Sequence, residues 1–254
     1  MKDQAMKIRL DKLLVERGLV PTRERAQAMI LAGRVLVREQ KQDKPGASVP
    51  ADAAVRLLGD DLRYVSRGGL KLEAALAHWR IDLRDRSCLD VGASTGGFTD
   101  CMLQHGAARV LAIDTGYGQI AQTLRDNPRV TLMERTNARH LNPGDLPPGI
   151  SFIAVDVSFI SATLVLPPVI GAARHRSEPG PNLEAVILIK PQFEAGREHV
   201  GKGGIVRDPA AHQLAIDRVR ACVEQLHGTT IEVIESPITG AEGNREFLLH
   251  VQWP

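Results

Sequence analysis

The sequence predicts an α/β protein, in which a large domain built on a mostly parallel, seven-stranded sheet follows a small α+β domain. Three observations lead to this fold class. From about residue 72 onward, apolar runs of four or five residues alternate with helical patterns, which is typical of a parallel sheet covered on both faces. The first 63 residues instead hold two short amphipathic segments and short strand-like runs. The length of 254 residues accommodates both domains.

Composition restricts the class of protein further. A hydrophobic content of 43% and a charged content of 24% are typical of a globular chain and exclude a disordered one. No apolar run approaches the roughly 20 residues of a membrane-spanning helix. The charged start, Met1–Lys12, contains no apolar segment of a secretory signal. Three widely spaced cysteines and the absence of metal-type histidine spacing favour buried thiols in a reducing compartment. We therefore expect a cytoplasmic protein that binds neither membrane nor metal.

Charge is unevenly distributed along the chain. Residues 1–63 contain 13 Lys and Arg against 9 Asp and Glu, a net charge of +4, whereas the remainder carries a net charge of −2. A basic unit before a slightly acidic, larger one indicates a nucleic-acid-binding module attached to a catalytic domain. Because +4 is modest, an ordinary solvated surface is the alternative interpretation.

The small domain begins with a predicted helix from Lys7 that ends at Gly18. A second helix is expected to start with Thr22 as its N-cap and to end at Gly33, although Arg25 occupies the position where a capping box would have Glu or Gln. Strands are predicted at Arg34–Arg38 and Ala54–Leu58, with a turn at Asp43–Gly46. Basic side chains that could follow an RNA backbone from one face of this unit are Arg9, Lys12, Arg23, Arg25, Arg34 and Arg38.

The segment Arg9–Leu14, followed by Arg23, Ala26 and Ile30 and then by Gly33–Val37, resembles an S4 RNA-binding domain. The resemblance covers most of residues 7–63. It implies that residues 1–63 bind structured RNA, usually ribosomal RNA, on behalf of an attached enzyme or as part of a ribosomal protein.

The large domain is predicted to span residues 64–254, and the polar residues and paired glycines of 59–69 predict a linker. A helix through Leu72 and Trp79 follows, with Lys71 off its apolar stripe. Further helices are expected at Gly96–Gln104, Ile120–Arg125 and Ala210–Leu226. The seven predicted strands are Cys88–Val91, Val110–Ile113, Val130–Met133, Phe152–Val155, Ala185–Ile189, Thr230–Ile234 and Phe247–Val251.

A glycine-rich loop, Asp90–Thr99, lies at the first strand-to-helix junction of the large domain. Glycines there let backbone N–H groups approach a ligand. Phe98 stands where a Walker A loop needs lysine, which argues against nucleotide triphosphate hydrolysis, and Ser94 replaces the second glycine of G-x-G-x-x-G. Asp114, at the end of the next strand, suits a ribose diol. The pattern favours a nucleoside cofactor without phosphates, such as S-adenosylmethionine; a glycine-rich turn with a capping Asp is the alternative.

This loop resembles motif I of the FtsJ-like class of RNA ribose methyltransferases, whose domain is Rossmann-like and S-adenosylmethionine-dependent. Four more segments with the same resemblance occur in order, at Ser66–Leu72, Val155–Ser161, Lys190–Glu194 and Gly243–Leu248. With the S4-like segment in front, the chain resembles the TlyA family, which is haemolysin A-like in name, nearly from end to end. The resemblance implies 2′-O-methylation of cytidine ribose in ribosomal RNA.

The resemblance also implies a catalytic Lys-Asp-Lys-Glu set, which matches Lys71, Asp156, Lys190 and Glu246. A ribose hydroxyl is a poor nucleophile at neutral pH, so methyl transfer requires a base close to it. Asp156 and Lys190 each follow an apolar strand, at the edge where open α/β sheets bind ligands. Lys190 is the base candidate, Lys71 would assist it and contact the substrate, and the two carboxylates would orient the amines. For any one of these residues alone, a surface charge at a strand end is the alternative.

The predicted cofactor-binding residues are Asp90, Gly92, Ala93, Ser94, Gly96, Gly97, Phe98, Asp114, Asn137 and Phe159. Phe159 would pack on the adenine and Asn137 would contact its edge; a core aromatic and a loop-capping Asn are the respective alternatives. Arg67 and Lys202 complete the RNA-binding candidates. Lys202 belongs to a cationic, glycine-rich loop at 196–207, which is expected to be mobile and to close over RNA phosphates or to be simply solvated.

Two other functions remain open at this point. One is a membrane-active cytolysin, which would need an amphipathic insertion segment that we do not find in the sequence. The other is a non-catalytic RNA-binding assembly factor. For a methyltransferase, 23S ribosomal RNA is the expected substrate and 16S the alternative, because family members that act on both subunits tend to carry an extra C-terminal helix and this chain ends at Pro254, directly after the last predicted strand.

Overall fold

The computed structural model describes residues 7–20, 22–58, 63–174, 182–240 and 243–254. The chain divides into two compact units, Met1–Arg63 and Tyr64–Pro254. Residues 1–6 of the charged start and residues 59–62 of the predicted linker lie outside the described residues. In the described part of the chain, no helix combines the length and the apolar character needed to cross a membrane.

The described residues of the first unit form two helices and five short strands. Its elements are β1 (Lys7–Arg9), α1 (Leu10–Glu16), α2 (Arg23–Leu31), β2 (Val35–Val37), β3 (Gln40–Gln42), β4 (Ser48–Pro50) and β5 (Val55–Leu57). β1 pairs with β4, and β2 lies between β3 and β5 in a second antiparallel sheet. The expected helix start at Lys7 is wrong, because the backbone of Lys7–Arg9 pairs with β4. The side chain of Thr22 caps α2 by accepting from the Arg25 N–H, as expected.

The second unit is a seven-stranded sheet with helices. Its elements are α3 (Gly68–Trp79), β6 (Ser87–Val91), α4 (Gly97–Gln104), β7 (Arg109–Ile113), α5 (Gln122–Arg125), β8 (Val130–Met133), β9 (Ile150–Val155), α6 (Leu166–Arg174), β10 (Leu183–Ile189), α7 (Pro191–Glu194), α8 (Pro209–Gln225), β11 (Thr229–Glu235) and β12 (Phe247–Trp253). Helix α6 was not expected, because Pro167 and Pro168 in its first turn resemble a turn signal in the sequence.

The strand order is β11-β12-β10-β9-β6-β7-β8, and every neighbouring pair is parallel except the two pairs that involve β12. The predicted mostly parallel, seven-stranded α/β sheet is therefore confirmed. All six residues of β9 are buried, as expected for a strand covered on both faces. Alternate side chains pack on opposite faces: Leu89 and Val91 belong to one apolar cluster, and Cys88 belongs to the other.

The reversed direction of β12 decides which residues meet at one edge of the sheet. Ile189, the last residue of β10, pairs with Phe247, the first residue of β12. The residue that follows β10 and the residue that precedes β12 therefore lie at the same edge, where β6, β7 and β9 also end. Open α/β sheets bind their ligands at this carboxyl edge.

The predicted linker extends too far along the chain, because α3 already begins at Gly68. Gly69 is buried inside the helix, and a Cβ atom at this position would lie only 2.3 Å from Cγ of Tyr64. The glycine therefore allows Tyr64 to pack closely against the helix, and its role is packing rather than flexibility.

Candidate active site

Two lysine–carboxylate pairs lie at the carboxyl edge of the sheet. Lys71 Nζ donates a hydrogen bond to Glu246 Oε2 at 2.5 Å, and Lys190 Nζ lies 2.5 Å from Asp156 Oδ1 in an ion pair. Both lysine side chains are 10% exposed. All four residues of the predicted catalytic set are thus found in two pairs, and the surface-charge alternative does not describe these lysines.

The Lys71–Glu246 pair links α3 to the residue before β12. Lys71 was expected to lie off the apolar stripe of this helix, yet it is buried, because Glu246 supplies a partner for its charge inside the protein. Burying a charge is costly unless it is paired. Gly240 leaves space for this carboxylate, since a Cβ atom there would lie 2.5 Å from Glu246 Oε1.

Lys190 has a second partner that the sequence analysis did not identify. Its Nζ donates a hydrogen bond to Ser158 Oγ at 2.7 Å, and Ser158 belongs to the loop that follows β9. Lys190 itself directly precedes α7, where Pro191 occupies the first helical position. The base candidate is therefore held between the end of one strand and the loop after its neighbour.

Glu194 in α7 connects the same two segments. The sequence did not indicate a role for it. Its carboxylate is buried and accepts hydrogen bonds from Ser161 Oγ at 2.5 Å and from the Ala162 N–H at 2.7 Å. Burial raises the pKa of Glu194. The only sequence signal was its position at the end of the Lys190–Glu194 segment. Glu194 ties the loop that carries Asp156 to the helix that follows Lys190.

A cavity of about 400 Å³ lies next to Asp156, which forms part of its wall. Five of the predicted cofactor-binding residues line it, namely Gly92, Ser94, Asp114, Asn137 and Phe159. Further lining residues are Ile113, Thr115, Gln119, Thr136, Ala138, Val157, Ser158, Ile160 and Val165. A cavity of this size is within the range of small-molecule sites, and its wall combines apolar with polar side chains.

The Asp114 carboxylate is fixed at the end of β7 by backbone amides. Oδ2 accepts from the Ser94 N–H and Oδ1 from the Gly116 N–H, each at 2.7 Å. A carboxylate oxygen has further acceptor capacity, so hydroxyl groups of a ligand can still bind to it. The apolar side chains in the cavity wall, together with a positioned carboxylate, fit an adenosyl group, with its flat base and its ribose diol.

The other predicted cofactor-binding residues do not line the cavity: they are Asp90, Ala93, Gly96, Gly97 and Phe98. Gly96 has φ +94°, and a Cβ atom at this position would lie 2.3 Å from the Leu124 side chain. A Cβ atom on Gly97 would lie 2.3 Å from Ser66 Oγ. The two glycines therefore let α5 and the start of α3 pack closely against the loop. Ala93 and Phe98 are buried in the apolar cluster on that face.

Asp90 is a fully buried carboxylate behind the loop. Oδ2 accepts a hydrogen bond from Thr99 Oγ1 at 2.5 Å, whereas Oδ1 has no hydrogen-bond partner within the described residues. Burial, reinforced by the charge of Asp156, raises the pKa of Asp90 to about 7 and outweighs the Thr99 hydrogen bond. Asp90 therefore titrates near neutral pH.

For Phe159 and Asn137, the structure bears on the alternatives. Phe159 is 93% exposed, with φ +64° and its ring centroid 5.5 Å from that of Phe193, so it is not a core aromatic. Asn137 caps a 3₁₀ turn, because its Oδ1 accepts from the Arg139 N–H at 3.1 Å. Asn137 thus has the loop-capping role and also reaches the cavity wall.

In the first unit, the buried carboxylate of Asp11 brings two of the RNA-binding candidates together. Arg9 donates to both carboxylate oxygens at 3.0 and 2.9 Å, and Arg23 Nε donates to Oδ2 at 3.0 Å. Gln27 Nε2 also donates to Oδ2 at 3.0 Å. The Arg9 contact is the main cause that holds the pKa of Asp11 well below its usual range. Of the remaining candidates, Lys12 and Arg38 are exposed, and Arg25 and Arg34 are half-buried.

In the second unit, Arg67 and Lys202 are exposed. The loop at 196–207, which was expected to be mobile, is tethered near its end. Asn244 is buried; its Oδ1 accepts from the Val206 N–H at 2.9 Å and its Nδ2 donates to the Gly204 carbonyl at 2.9 Å. These contacts tie the loop to the segment that carries Glu246. The described residues contain no group of three or more His, Cys, Asp or Glu side chains that could hold a metal ion.

Comparison with protein families agrees with the two units. Residues 64–253 match the FtsJ-like methyltransferase model, and residues 8–55 match the S4 domain model.

Two named relatives are similar to the chain over almost its entire length. One is the "Putative rRNA methyltransferase YqxC" of Bacillus subtilis, at 49% identity over 98% of this chain and 86% of the relative. The other is the "16S/23S rRNA (cytidine-2'-O)-methyltransferase TlyA" of Mycobacterium tuberculosis, at 41% identity over 96% of this chain and 90% of the relative.

Solved structures give the same result for the fold. A "Putative hemolysin from Streptococcus thermophilus" has 42% identity and a TM-score of 0.73, covering 98% of this chain and 89% of its own. An S-adenosylmethionine-dependent methyltransferase from Mesorhizobium loti has 15% identity and a TM-score of 0.50, over 70% of this chain and 95% of its own. This second similarity concerns the fold alone.

Proposed function

We propose that this chain, which belongs to the FtsJ-like methyltransferase family and shares that membership with the TlyA proteins, methylates the ribose 2′-oxygen of a cytidine in ribosomal RNA. The observation that carries the proposal is the Lys190–Asp156 pair, which adjoins a cavity suited to an adenosyl group. The named activity of the TlyA relative from Mycobacterium tuberculosis supports the choice of cytidine and of the 2′-oxygen.

S-Adenosylmethionine, when bound, supplies an electrophilic methyl group. In our proposal Asp114 binds the ribose diol of this cofactor, Asn137 and Phe159 contact its adenine, and Gly92 and Ser94 contribute backbone to the same cavity. Asp90, Ala93, Gly96, Gly97 and Phe98 act indirectly, by holding the loop in shape. Replacing Asp114 by Ala should weaken cofactor binding about 10- to 100-fold, the scale of a lost charge-assisted hydrogen bond, and calorimetry measures this directly.

The proposed base is Lys190. In its neutral form, Nζ would accept the proton of the 2′-hydroxyl while the oxygen bonds to the methyl carbon. The bond from that carbon to the cofactor's sulfur would break in the same step, so that the demethylated cofactor leaves as a neutral thioether. The resulting ammonium would then release its proton to water. Asp156 stabilises the ammonium through the ion pair. Lys71, held by Glu246, contacts the substrate and is the second lysine beside the 2′-hydroxyl that accepts the methyl group.

RNA affinity is assigned to basic side chains in both units. In the first unit they are Arg9, Lys12, Arg23, Arg25 and Arg34, and in the second unit Arg67 and Lys202. The S4 match supports this assignment. We place the activity in the cytoplasm, because ribosomal RNA is modified there.

The test is to incubate the purified protein and S-adenosylmethionine with unmethylated ribosomal subunits, and then to map 2′-O-methyl groups on both RNAs. We expect one cytidine in 23S RNA to be methylated, and the methylation rate to fall at least 100-fold with Lys190→Ala. A methyl group on 16S RNA as well would correct the single-subunit assignment. If no ribosomal RNA is methylated, the proposed function is wrong.

The same preparation addresses the other two functions. A solved structure of similar sequence carries the name hemolysin. Our proposal assigns no lysis, so the protein should leave red blood cells intact at concentrations that methylate RNA to completion. If Lys190→Ala supports ribosome assembly in cells as well as the unchanged protein, an assembly factor is the better description.

A further inference from the structure

Lys190 has two partners of different character in the loop after β9. Its Nζ lies 2.5 Å from Asp156 Oδ1, yet this oxygen makes no hydrogen bond of acceptable angle within the described residues. The contact of Nζ with Ser158 Oγ, at 2.7 Å, does have hydrogen-bond geometry. Asp156 therefore contributes charge, and Ser158 contributes direction.

Direction matters for a lysine that acts as a base. The nitrogen of a neutral amine carries two hydrogens and one lone pair, which exchange places when the Cε–Nζ bond rotates. An ion pair of poor angle does little to select one rotamer of this bond. A hydroxyl that accepts one N–H selects the rotamers in which that hydrogen points toward it, and the lone pair is then confined to the remaining directions.

The position of Ser158 makes such a contact possible. Ser158 lines the cavity and is exposed, whereas the Lys190 side chain is only 10% exposed. The loop that bears Ser158 is tied to α7 by Glu194 through Ser161 and Ala162, so the hydroxyl and the amine are held by connected segments.

We propose that Ser158 is a positioning residue that orients the Lys190 amine toward the acceptor hydroxyl of the RNA. This inference rests on the proposed function, in which Lys190 is the base. Ser158 acts through Lys190 and takes no proton itself.

The first test compares Ser158→Ala with Ser158→Thr in the full-length protein, by single-turnover methylation at saturating S-adenosylmethionine. Misorientation of a catalytic group costs up to about 100-fold, so Ser158→Ala should lose about 10- to 100-fold in rate. The affinities for cofactor and for ribosomal RNA should stay within about twofold, because neither depends on the rotamer of Lys190. Ser158→Thr keeps Oγ and should recover most of the rate. If Ser158→Ala lowers cofactor affinity tenfold and leaves the saturated rate unchanged, Ser158 binds the cofactor and the proposal fails.

The second test is a double-mutant cycle with Lys190→Ala. A residue that acts through Lys190 has nothing to orient once the amine is gone, so Ser158→Ala should cause no further loss in that background. Equal losses in both backgrounds would overturn the proposal. Ser87→Ala, which removes a hydroxyl at the opposite edge of the sheet, where Ser87 accepts from Arg109, serves as the control, and its effect should be the same in both backgrounds.

The cycle also separates this inference from the function on which it rests. If Lys190→Ala methylates RNA at the normal rate, the base assignment is wrong and the Ser158 proposal is wrong with it. If Lys190→Ala is inactive while Ser158→Ala is fully active, only the positioning role fails.

Discussion

Asp11 in the first unit and Asp90 in the second are both carboxylates without exposed surface, but their pKa values shift in opposite directions. Asp11 accepts from two arginines and a glutamine, and these contacts hold its pKa well below the usual range. Asp90 has the Thr99 hydroxyl as its donor, and burial raises its pKa to about 7. Burial alone therefore does not determine protonation; the number and charge of the donors decide it.

The two units also differ in how far their paired cationic side chains are exposed to solvent. The side chains of Arg9 and Arg23 are nearly half exposed around a buried carboxylate, so they remain free to reach RNA phosphates. Lys71 and Lys190 are themselves buried, each beside one carboxylate. An exposed guanidinium suits binding, because it stays charged, whereas a buried amine suits proton transfer. Four predictions test this contrast.

The largest effect is expected at Lys190. A positioned base contributes about 10²- to 10⁴-fold, so Lys190→Ala should lose at least 100-fold in single-turnover methylation while RNA and cofactor still bind. Lys190→Arg should not restore the rate, because a guanidinium stays protonated. An active arginine variant would show that the buried cation only binds, and the contrast between the units would be lost.

The second effect concerns the stability of a buried pair. Glu246→Ala leaves the Lys71 charge buried without its partner and should lower the free energy of unfolding by about 3–5 kcal/mol, measured by urea denaturation. The control is Glu39→Ala in the first unit, which breaks an exposed pair with Arg56 and should have little effect. The double variant Lys71→Met/Glu246→Leu should recover most of the stability but no activity. Similar losses for Glu246→Ala and Glu39→Ala would contradict the prediction.

The third effect is a pH dependence caused by Asp90. Folding raises its pKa from 3.8 to about 7. Between pH 4 and pH 7, Asp90 is therefore protonated in the folded state and ionised in the unfolded state. The contribution of Asp90 to stability is therefore greatest below about pH 4, falls as the pH rises to 7, and is constant above. An Asn at this position does not titrate, so Asp90→Asn should not lose stability in this way. Between pH 4 and pH 7 the free energy of unfolding of Asp90→Asn should rise relative to that of the unchanged protein by on the order of 1 kcal/mol per pH unit. Parallel stability curves for the two proteins would refute the raised pKa.

The smallest effect is expected at Asp11, with the opposite sign. Because folding lowers its pKa, its charge stabilises the protein above about pH 4, and this contribution is lost as the pH falls further. Asp11→Asn should lower the free energy of unfolding at pH 7 by about 1–2 kcal/mol and weaken RNA binding, since Arg9 and Arg23 lose their common anchor. The stability difference should shrink between pH 4 and pH 2. An unchanged RNA affinity would show that the arginines need no anchor.

Sequence patterns predicted the structure correctly where the information lies within one continuous segment of the chain. The alternation of apolar runs with helices predicted the sheet, and the motifs predicted the S4 and FtsJ-like matches and the methyltransferase class, all of which are confirmed. The same reasoning did not indicate that Lys71 is buried, because an apolar stripe describes one helix and contains no information about a partner from elsewhere in the chain. It failed at Gly68 and Gly69 for a similar reason, because flexible and closely packed glycines look identical in sequence.

By itself, the sequence determined the order and type of the main elements, the family and the residue types of the candidate site, because these depend on local periodicity and on short motifs. Only the tertiary structure decided which of those residues meet. Lys71 and Glu246 are 175 positions apart, and Lys190 and Ser158 are 32 apart. Their contacts arise from the reversed direction of β12, the register of Ile189 with Phe247, and the Glu194 contacts that hold the Ser158 loop to α7. Such contacts depend on the packing of distant segments, so no local pattern in the chain records them.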